Sequence, residues 1–283
     1  MCPPHWPYLW SFAAPPVVRN DQYDTAAQSK SRHIPVEVFQ AIMKWVPPLE
    51  VLKFRRLSRF ANACLTDPYL AYLNLSLFVE PLSNRLSQRS RMNEVHVHWP
   101  TPLDRIWNRF PQSFQAVYAD LALVGMTALL LSDSKMGGQI PSLIGRVNTL
   151  LYLALDNCKL EGTIPAEIGH LKALKHLNLS KNMLSGGIPD ELGDCESLER
   201  IYLGNNKFTG SIPSVLGRLV KLKHICLSHN QLSGALPEEL AALANIYWFD
   251  VSSNQIHREY SKRLEDNQAL VRLLQEQRFY PAR

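Results

Sequence analysis

His96 and His98 are the two side chains whose spacing would best suit metal binding in this chain of 283 residues. On a β-strand they would share one face, because alternate residues of a strand point to the same side. A zinc site needs three or four protein ligands, and no third ligand lies at a suitable spacing. We therefore expect exposed or packed strand histidines here and no metal site.

The cysteines give no sign of a reactive or cross-linked site either. Five are present, an odd number, without a Cys-x-x-Cys pair or a Cys/His ligand spacing, so neither a disulfide framework nor a zinc site is indicated. The sequence also lacks a glycine-rich phosphate loop, a nucleophile elbow, an HExxH helix and a usable Ser/His/Asp set. We expect a protein that is not an enzyme, with no catalytic residues and no cofactor. The cysteines are Cys2, Cys64, Cys158, Cys195 and Cys226.

A 24-residue repeat fills residues 126–269, and a fixed period of this length predicts a solenoid. Positions 4 and 6 of each unit are apolar and are separated by a residue that is free to face solvent. This alternation is typical of a half-buried strand, so one short strand per repeat should stack into a parallel sheet. Four of the units follow the form LxxLxLxxNxLxGxIPxxLGxLxx. The six units begin at Met126, Leu150, Leu174, Leu198, Leu222 and Ile246.

Three further positions of the repeat indicate tight turns. An Asn at position 9, for example Asn182, can bond backbone groups that a turn would otherwise leave unpaired. A Gly at position 13, for example Gly186, suits a positive φ or a close approach. The Ile-Pro pair that follows, Ile188-Pro189 in the same unit, fixes φ and directs the return segment. The chain therefore has local reasons to turn at the same places in each repeat.

These residues resemble the leucine-rich repeat family, and the LxGxIP element resembles its plant-specific subclass. The resemblance covers about half of the chain. It implies an α/β fold: a right-handed solenoid with one short parallel strand per repeat and a concave sheet that recognises other proteins. It implies no catalysis.

Side chains on the solvent side of the predicted strands are the candidate partner-binding residues. Position 3 carries large aromatic, imidazole and guanidinium groups on consecutive repeats, and Trp, Tyr and Arg are the residue types that dominate interface energetics. Position 5 adds further polar and aromatic groups. An unknown target protein is expected on this face. The candidates are Tyr152, His176, Asn178, Arg200, Tyr202, His224, Trp248 and Asp250.

Composition limits the partner and the compartment. The repeats at 126–269 hold 14 Lys and Arg against 15 Asp and Glu, and this near-neutral balance disfavours nucleic acid, which needs a dense basic footprint. Residues 1–20 show no signal peptide, and no apolar run is long enough to span a membrane. We expect a cytoplasmic or nuclear protein.

Residues 31–78 form a predicted all-α module of three short helices. Ile34-Pro35-Val36-Glu37-Val38, the Val46-Pro47-Pro48 break, Leu57-Ser58-Arg59 and Asp67-Pro68 resemble an F-box, although Ala61 and Ala71 stand where that family frequently has Trp. The resemblance implies binding to a Skp-type adaptor and its cullin complex; the alternative is a helical cap for the solenoid. The implied adaptor-binding residues are Ile34, Pro35, Glu37, Val38, Ile42, Leu49, Leu52 and Leu57.

The remaining segments are interpreted by their position relative to the repeats. Residues 1–30 are expected to be a disordered leader, with a short aromatic docking motif as the alternative. Residues 79–125 are expected to hold irregular repeats or an N-terminal cap, with a helix around 110–121. The LxxLxL pattern at 70–75 would begin the first irregular repeat. An amphipathic helix starting near residue 261, whose end occupies 270–283, should cap the other end.

Two functions follow from these interpretations. In the first, the chain is a substrate receptor of an SCF-type cullin-RING ubiquitin ligase, with the adaptor on the F-box-like module and the target on the repeats. In the second, it is a leucine-rich-repeat scaffold or receptor-like protein without a role in ubiquitination. A secreted inhibitor or receptor ectodomain would need a signal peptide and paired cap cysteines, which the sequence does not show.

Overall fold

The computed structural model describes Ala71, Leu75, residues 112–123 and residues 125–281. The predicted leader at 1–30, most of the F-box-like module at 31–78, the irregular segment at 79–111 and the pair His96 and His98 lie outside these residues.

The first sheet consists of six parallel strands, one from each repeat, with equivalent residues in register. The middle residue of each strand is buried in the core, and on all of these strands except the first its two neighbours are at least partly exposed. This confirms the predicted alternation and the parallel sheet. The strands are β1 (Ala128–Leu130), β2 (Tyr152–Ala154), β4 (His176–Asn178), β6 (Arg200–Tyr202), β8 (His224–Cys226) and β10 (Trp248–Asp250).

A second sheet of five parallel strands corrects the prediction of one strand per repeat. Each of its longer strands buries a single apolar residue, Leu184, Phe208 or Leu232, between more exposed neighbours. One apolar residue is too short a pattern to identify a strand from sequence, since alternation needs several matches. The strands are β3 (Glu161–Gly162), β5 (Met183–Gly186), β7 (Lys207–Gly210), β9 (Gln231–Gly234) and β11 (Gln255–Ile256).

A short 3-10 helix carries each repeat from the second sheet back to the first. Proline precedes five of the six helices, in an extended conformation from which the helix begins directly. The residue at position 19 of each repeat lies within the helix and is buried in the core. The helices span Ser142–Arg146, Ala166–His170, Asp190–Asp194, Ser214–Arg218, Glu238–Ala242 and Lys262–Asp266.

The Asn residues at position 9 join neighbouring repeats as well as their own turns. The Asn182 Oδ1 accepts from the backbone N–H groups of Cys158 and Leu160, each at 3.0 Å. Its Nδ2 donates to the carbonyls of Leu155 and Leu179 at 2.8 and 2.9 Å. Because one carboxamide satisfies buried backbone groups of two repeats, it fixes their spacing.

The N-terminal end of the described repeats is covered by helix α1 (Gln112–Tyr118), which continues as a π-helical turn over Ala119–Leu123. Phe114 and Tyr118 are fully buried there, in agreement with the predicted helix. Ala71 and Leu75 are helical and buried. Helical geometry at these two residues does not fit a repeat strand, and the other residues of the 70–75 pattern lie outside the described part of the chain.

The C-terminal end is closed by helix α2 (Gln268–Glu276), which starts after the sixth 3-10 helix and not near residue 261. Leu270 and Leu274 are buried against the last repeat. The Gln277 side chain accepts from Val251 N–H at 2.9 Å and donates to the Phe249 carbonyl, so it satisfies backbone groups beside β10. Strands β12 (Glu259–Tyr260) and β13 (Tyr280–Pro281) then pair in parallel.

Candidate protein-binding surface

We define the sheet face as the solvent side of the six-stranded sheet, formed by positions 3 and 5 of each repeat. The register brings the position-3 candidates of five consecutive strands into one row, and those at position 5 into a second row beside it. Adjacent strands lie about 4.8 Å apart, so the first row extends over about 19 Å. The first row holds Tyr152, His176, Arg200, His224 and Trp248, and the second holds Asn178, Tyr202 and Asp250 with Ala154 and Cys226.

Ring contacts connect the candidate side chains in two groups. Tyr152 and His176 pack edge to face with centroids 4.7 Å apart. His224 contacts Tyr247 in the same manner at 4.3 Å and lies 6.1 Å from Tyr202. The His224 Nε2 and the Tyr247 hydroxyl also share a hydrogen bond. Rings held by neighbouring rings lose little conformational freedom when a partner binds.

Tyr247 was not among the sequence candidates, because it precedes the strand at position 2. It is 57% exposed and the adjacent Trp248 is 52% exposed. Two consecutive aromatic residues at the start of the last strand were the signal that could have identified it. Large aromatic side chains left open to solvent side by side are typical of an interaction site.

Arg200 lies between His176 and His224 in the middle of the sheet face. Its Nε atom is buried without a hydrogen-bond partner in the described part of the chain. The adjacent acid, Glu199, pairs instead with Lys223, at 2.6 Å. Arg200 therefore presents a cation whose charge no described side chain neutralises, and a buried donor without a partner carries a free-energy cost.

Both row histidines are biased toward the neutral form. Burial, followed by the positive charge of Arg200, lowers the pKa of His176 below its ordinary value. Burial, Arg200 and Lys223 lower the pKa of His224 in the same direction. At neutral pH the positive charge in the centre of the row is therefore concentrated on Arg200.

Two of the predicted residues are already engaged by their own turns. Asn178 accepts from the Ser180 N–H and hydroxyl at 3.1 and 2.7 Å, and donates to Asp156 at 3.0 Å. Asp250 accepts from the Ser252 N–H and hydroxyl at 3.0 and 2.7 Å. Burial alone would raise the pKa of Asp250, but the hydrogen bonds from Ser252 and Ser228 outweigh it and hold that pKa below its usual range. These two side chains are less available to a partner than the ring residues and Arg200.

Two of the described cysteines, Cys158 and Cys195, are buried thiols with raised pKa values. Burial raises the pKa of Cys195 to about 12 and raises that of Cys158, whose Sγ donates to the Leu131 carbonyl at 3.0 Å. Within the same residues, no three His, Cys, Asp or Glu side chains are placed to hold a metal ion. No helix in this part of the chain has both the length and the apolar character to cross a membrane. The eight adaptor-binding candidates from Ile34 to Leu57 lie outside the described residues.

A family model described as leucine rich repeat matches residues 148–208 and 197–256. The repeats described above are therefore leucine-rich repeats. No curated protein matches the sequence.

Several solved structures are similar to the repeat region. The leucine-rich-repeat ectodomain of the plant membrane receptor kinase GASSHO1/SCHENGEN3 from Arabidopsis thaliana, in complex with CASPARIAN STRIP INTEGRITY FACTOR 2, is 34% identical with a TM-score of 0.51, over 54% of this chain and 18% of that one. The plant peptide hormone receptor RGFR1, in complex with RGF2, is 32% identical with a TM-score of 0.49, over 53% and 24%. The Arabidopsis receptor kinase HAESA, in complex with the peptide hormone IDA and the co-receptor SERK1, is 32% identical with a TM-score of 0.47, over 52% and 24%. This chain thus spans no more than 24% of these three chains.

Proposed function

We propose that the leucine-rich repeats of this chain are a protein-interaction module that binds a partner segment on the sheet face. The observation that carries the proposal is the open aromatic pair Tyr247 and Trp248, more than half exposed and continuous with His224 and Tyr202. Beside them, Arg200 adds a cation whose Nε has no hydrogen-bond partner among the described residues. Aromatic and arginine side chains of this kind are the residues on which binding energy is usually concentrated.

The similar ectodomain with a TM-score of 0.51 was solved in complex with CASPARIAN STRIP INTEGRITY FACTOR 2. That complex supports a binding role for repeats of this type. Because this chain spans 18% of that ectodomain, the ligand of the ectodomain does not identify the partner of this chain, which we propose separately.

Selection from a random peptide library against the full chain tests the proposed function. Bound peptides should lose at least about tenfold in affinity for a Tyr247→Ala/Trp248→Ala variant, because loss of a hot-spot side chain costs about 1–2 kcal/mol or more. Met183→Ala is the matched control: Met183 is 42% exposed but lies on the second sheet. Equal weakening by both variants, or no weakening by the first, would contradict the sheet-face site.

A second proposal assigns residues 31–78 to adaptor binding, which would make this chain an SCF-type substrate receptor acting in the cytoplasm or nucleus without catalysis of its own. Its support is the sequence pattern from Ile34 to Asp67-Pro68. The full chain should capture purified Skp-type adaptor, and an Ile34→Asp/Leu52→Asp variant should not. Trp248→Ala is the control and should capture the adaptor normally. Failure of folded wild-type protein to bind the adaptor would leave the repeat-based function alone.

A further inference from the structure

We infer that the partner segment is an acidic, proline-containing stretch in the polyproline II conformation, with a carboxylate on Arg200 and an apolar side chain on Trp248 three residues away. This inference rests on the proposed function, because it specifies the ligand of the same sheet face. It follows from the charge on Arg200, the separation of Arg200 from Trp248, and the exposed aromatic pair.

The charge requirement comes from the groups that surround Arg200. The guanidinium makes no ion pair within the described residues, and its Nε is a buried donor without an acceptor. Glu199 is occupied by Lys223, and Asp250 lies two strands away in the other row, bonded to Ser252. A carboxylate from a partner would neutralise the cation that no described acid pairs with, since guanidinium and carboxylate groups match in geometry.

The spacing requirement comes from the sheet. Arg200 and Trp248 occupy equivalent positions on β6 and β10, with β8 between them, so their backbones are about 9.6 Å apart. In a polyproline II helix, residues three apart lie on the same side and are separated by about 9.3 Å. Same-side residues of an extended β-strand are separated by about 6.7 or 13 Å, and neither value matches the separation of Arg200 from Trp248.

The aromatic pair favours the same conformation. Tyr247 and Trp248 are the two most exposed aromatic side chains of the described residues. Proline-rich segments bind to grooves lined with exposed aromatic rings, and they lose little conformational entropy because their helix is already formed. The His224 ring lies between Arg200 and Trp248 in the row, and its lowered pKa leaves the carboxylate site to Arg200.

The test is a random twelve-residue library displayed with both peptide ends fused, so that every available carboxylate belongs to a side chain. Selected sequences should be enriched in Asp or Glu three residues from Pro or another apolar residue. A synthetic peptide with blocked ends, made from the most enriched sequence, should bind at least about tenfold more weakly to Arg200→Gln. Replacement of its acidic residue by the amide should weaken wild-type binding equally and should have little further effect on Arg200→Gln. Arg200→Lys should bind at an intermediate level, because it keeps the charge but not the planar fork.

The outcomes separate this inference from the proposed function. The inference is overturned if the selected peptides lack an acidic residue, if their acidic and apolar residues are two, four or seven positions apart, or if they bind Arg200→Gln as well as the wild type. If such peptides nevertheless bind more weakly to Tyr247→Ala/Trp248→Ala, the sheet-face site is still supported. Peptides insensitive to all of these variants overturn both, and so does a selection that enriches no sequence above a protein-free control.

Discussion

Gly217 lies directly against the backbone of Glu239 in the next repeat: a Cβ on Gly217 would stand 2.2 Å from the Glu239 carbonyl oxygen. The same relationship recurs along the array, where a Cβ on Gly145 or Gly169 would meet the next repeat's carbonyl at 2.5 or 2.6 Å. These glycines occupy position 20, on the 3-10 helices. Glycine is required there by the stacking distance between repeats, because the group that a Cβ would meet is a backbone carbonyl and not the flexible end of a side chain.

Gly217→Ala should destabilise the protein by about 1–3 kcal/mol, because the added methyl group forces two repeat backbones apart. Gly187→Ala is the matched control, since a Cβ there meets nothing within 4 Å. That change should be neutral or stabilising by up to about 1 kcal/mol, because it restricts the unfolded chain. Urea unfolding of the two variants measures the difference, and equal stabilities would contradict the close packing of the 3-10 helices.

Asn206→Ala should cost about 2–3 kcal/mol. Its carboxamide accepts from Leu184 N–H at 3.0 Å and donates to the carbonyls of Leu179 and Leu203 at 2.9 and 3.1 Å, all in buried surroundings. Removal would leave buried backbone groups of two repeats unsatisfied. Asn245→Ala removes one exposed bond, to the Val220 carbonyl at 2.9 Å, and should cost less than about 1 kcal/mol. Chemical denaturation would count against the asparagine ladder if the two substitutions had the same effect.

The free energy of unfolding should decrease as pH falls below about 6.5, the ordinary pKa of histidine. His176 and His224 have lowered pKa values in the folded protein, so the unfolded state binds more protons in the window between those pKa values and 6.5. The loss should be complete below the folded pKa values. The pKa values of Asp250 and Glu199 are held below their ordinary values of 3.8 and 4.5, so these two carboxylates affect the free energy of unfolding only at lower pH.

A His176→Gln/His224→Gln variant should show a smaller decrease over this window. Denaturation of both proteins at several pH values between about 5 and 7.5 measures the difference, with the other histidines common to both. Parallel curves would show that burial and Arg200 do not hold these rings neutral.

Leu274→Asp should expose the end of the core and cause self-association. Leu274 is fully buried on α2, which covers the last repeat, and a buried carboxylate without a partner strongly disfavours the helix contact. Gln275→Asp, on the exposed side of the same helix, is the control. Size-exclusion chromatography should show larger species for the first variant alone. A monomeric Leu274→Asp protein with unchanged stability would rule out the capping role.

The repeat period, the parallel sheet and the sheet-face residues could be predicted because each apolar position recurs at a fixed offset. The second sheet could not, since each of its longer strands is marked by only one apolar residue, such as Phe208. Position 8 carried only a partial signal: Lys181 and Ser253 adopt φ values of 56° and 54°, although neither residue type favours that conformation. Hydrogen bonds between repeats hold these turns; for example, the Lys181 N–H donates to the Gly204 carbonyl at 2.9 Å.

The sequence indicated which residues lie on the sheet face, but not which of their side chains are free to contact a partner. Asn178 and Asp250 resemble binding residues in the sequence, yet their oxygens accept from Ser180 and Ser252. That engagement depends on the turn geometry after each strand and becomes visible only in the structure. Tyr247 was missed for the opposite reason, because it lies before the strand whose alternation identified the other residues.

Photo-crosslinking would show which face of the repeats contacts a bound peptide. Benzoylphenylalanine would replace Tyr202 or Trp248 on the sheet face, or Met183 on the second sheet, in the full chain bound to a peptide from the library. We expect covalent adducts from the Tyr202 and Trp248 positions and none above background from Met183. Adducts confined to the Met183 position, or equal yields from all three, would contradict a partner site on the sheet face.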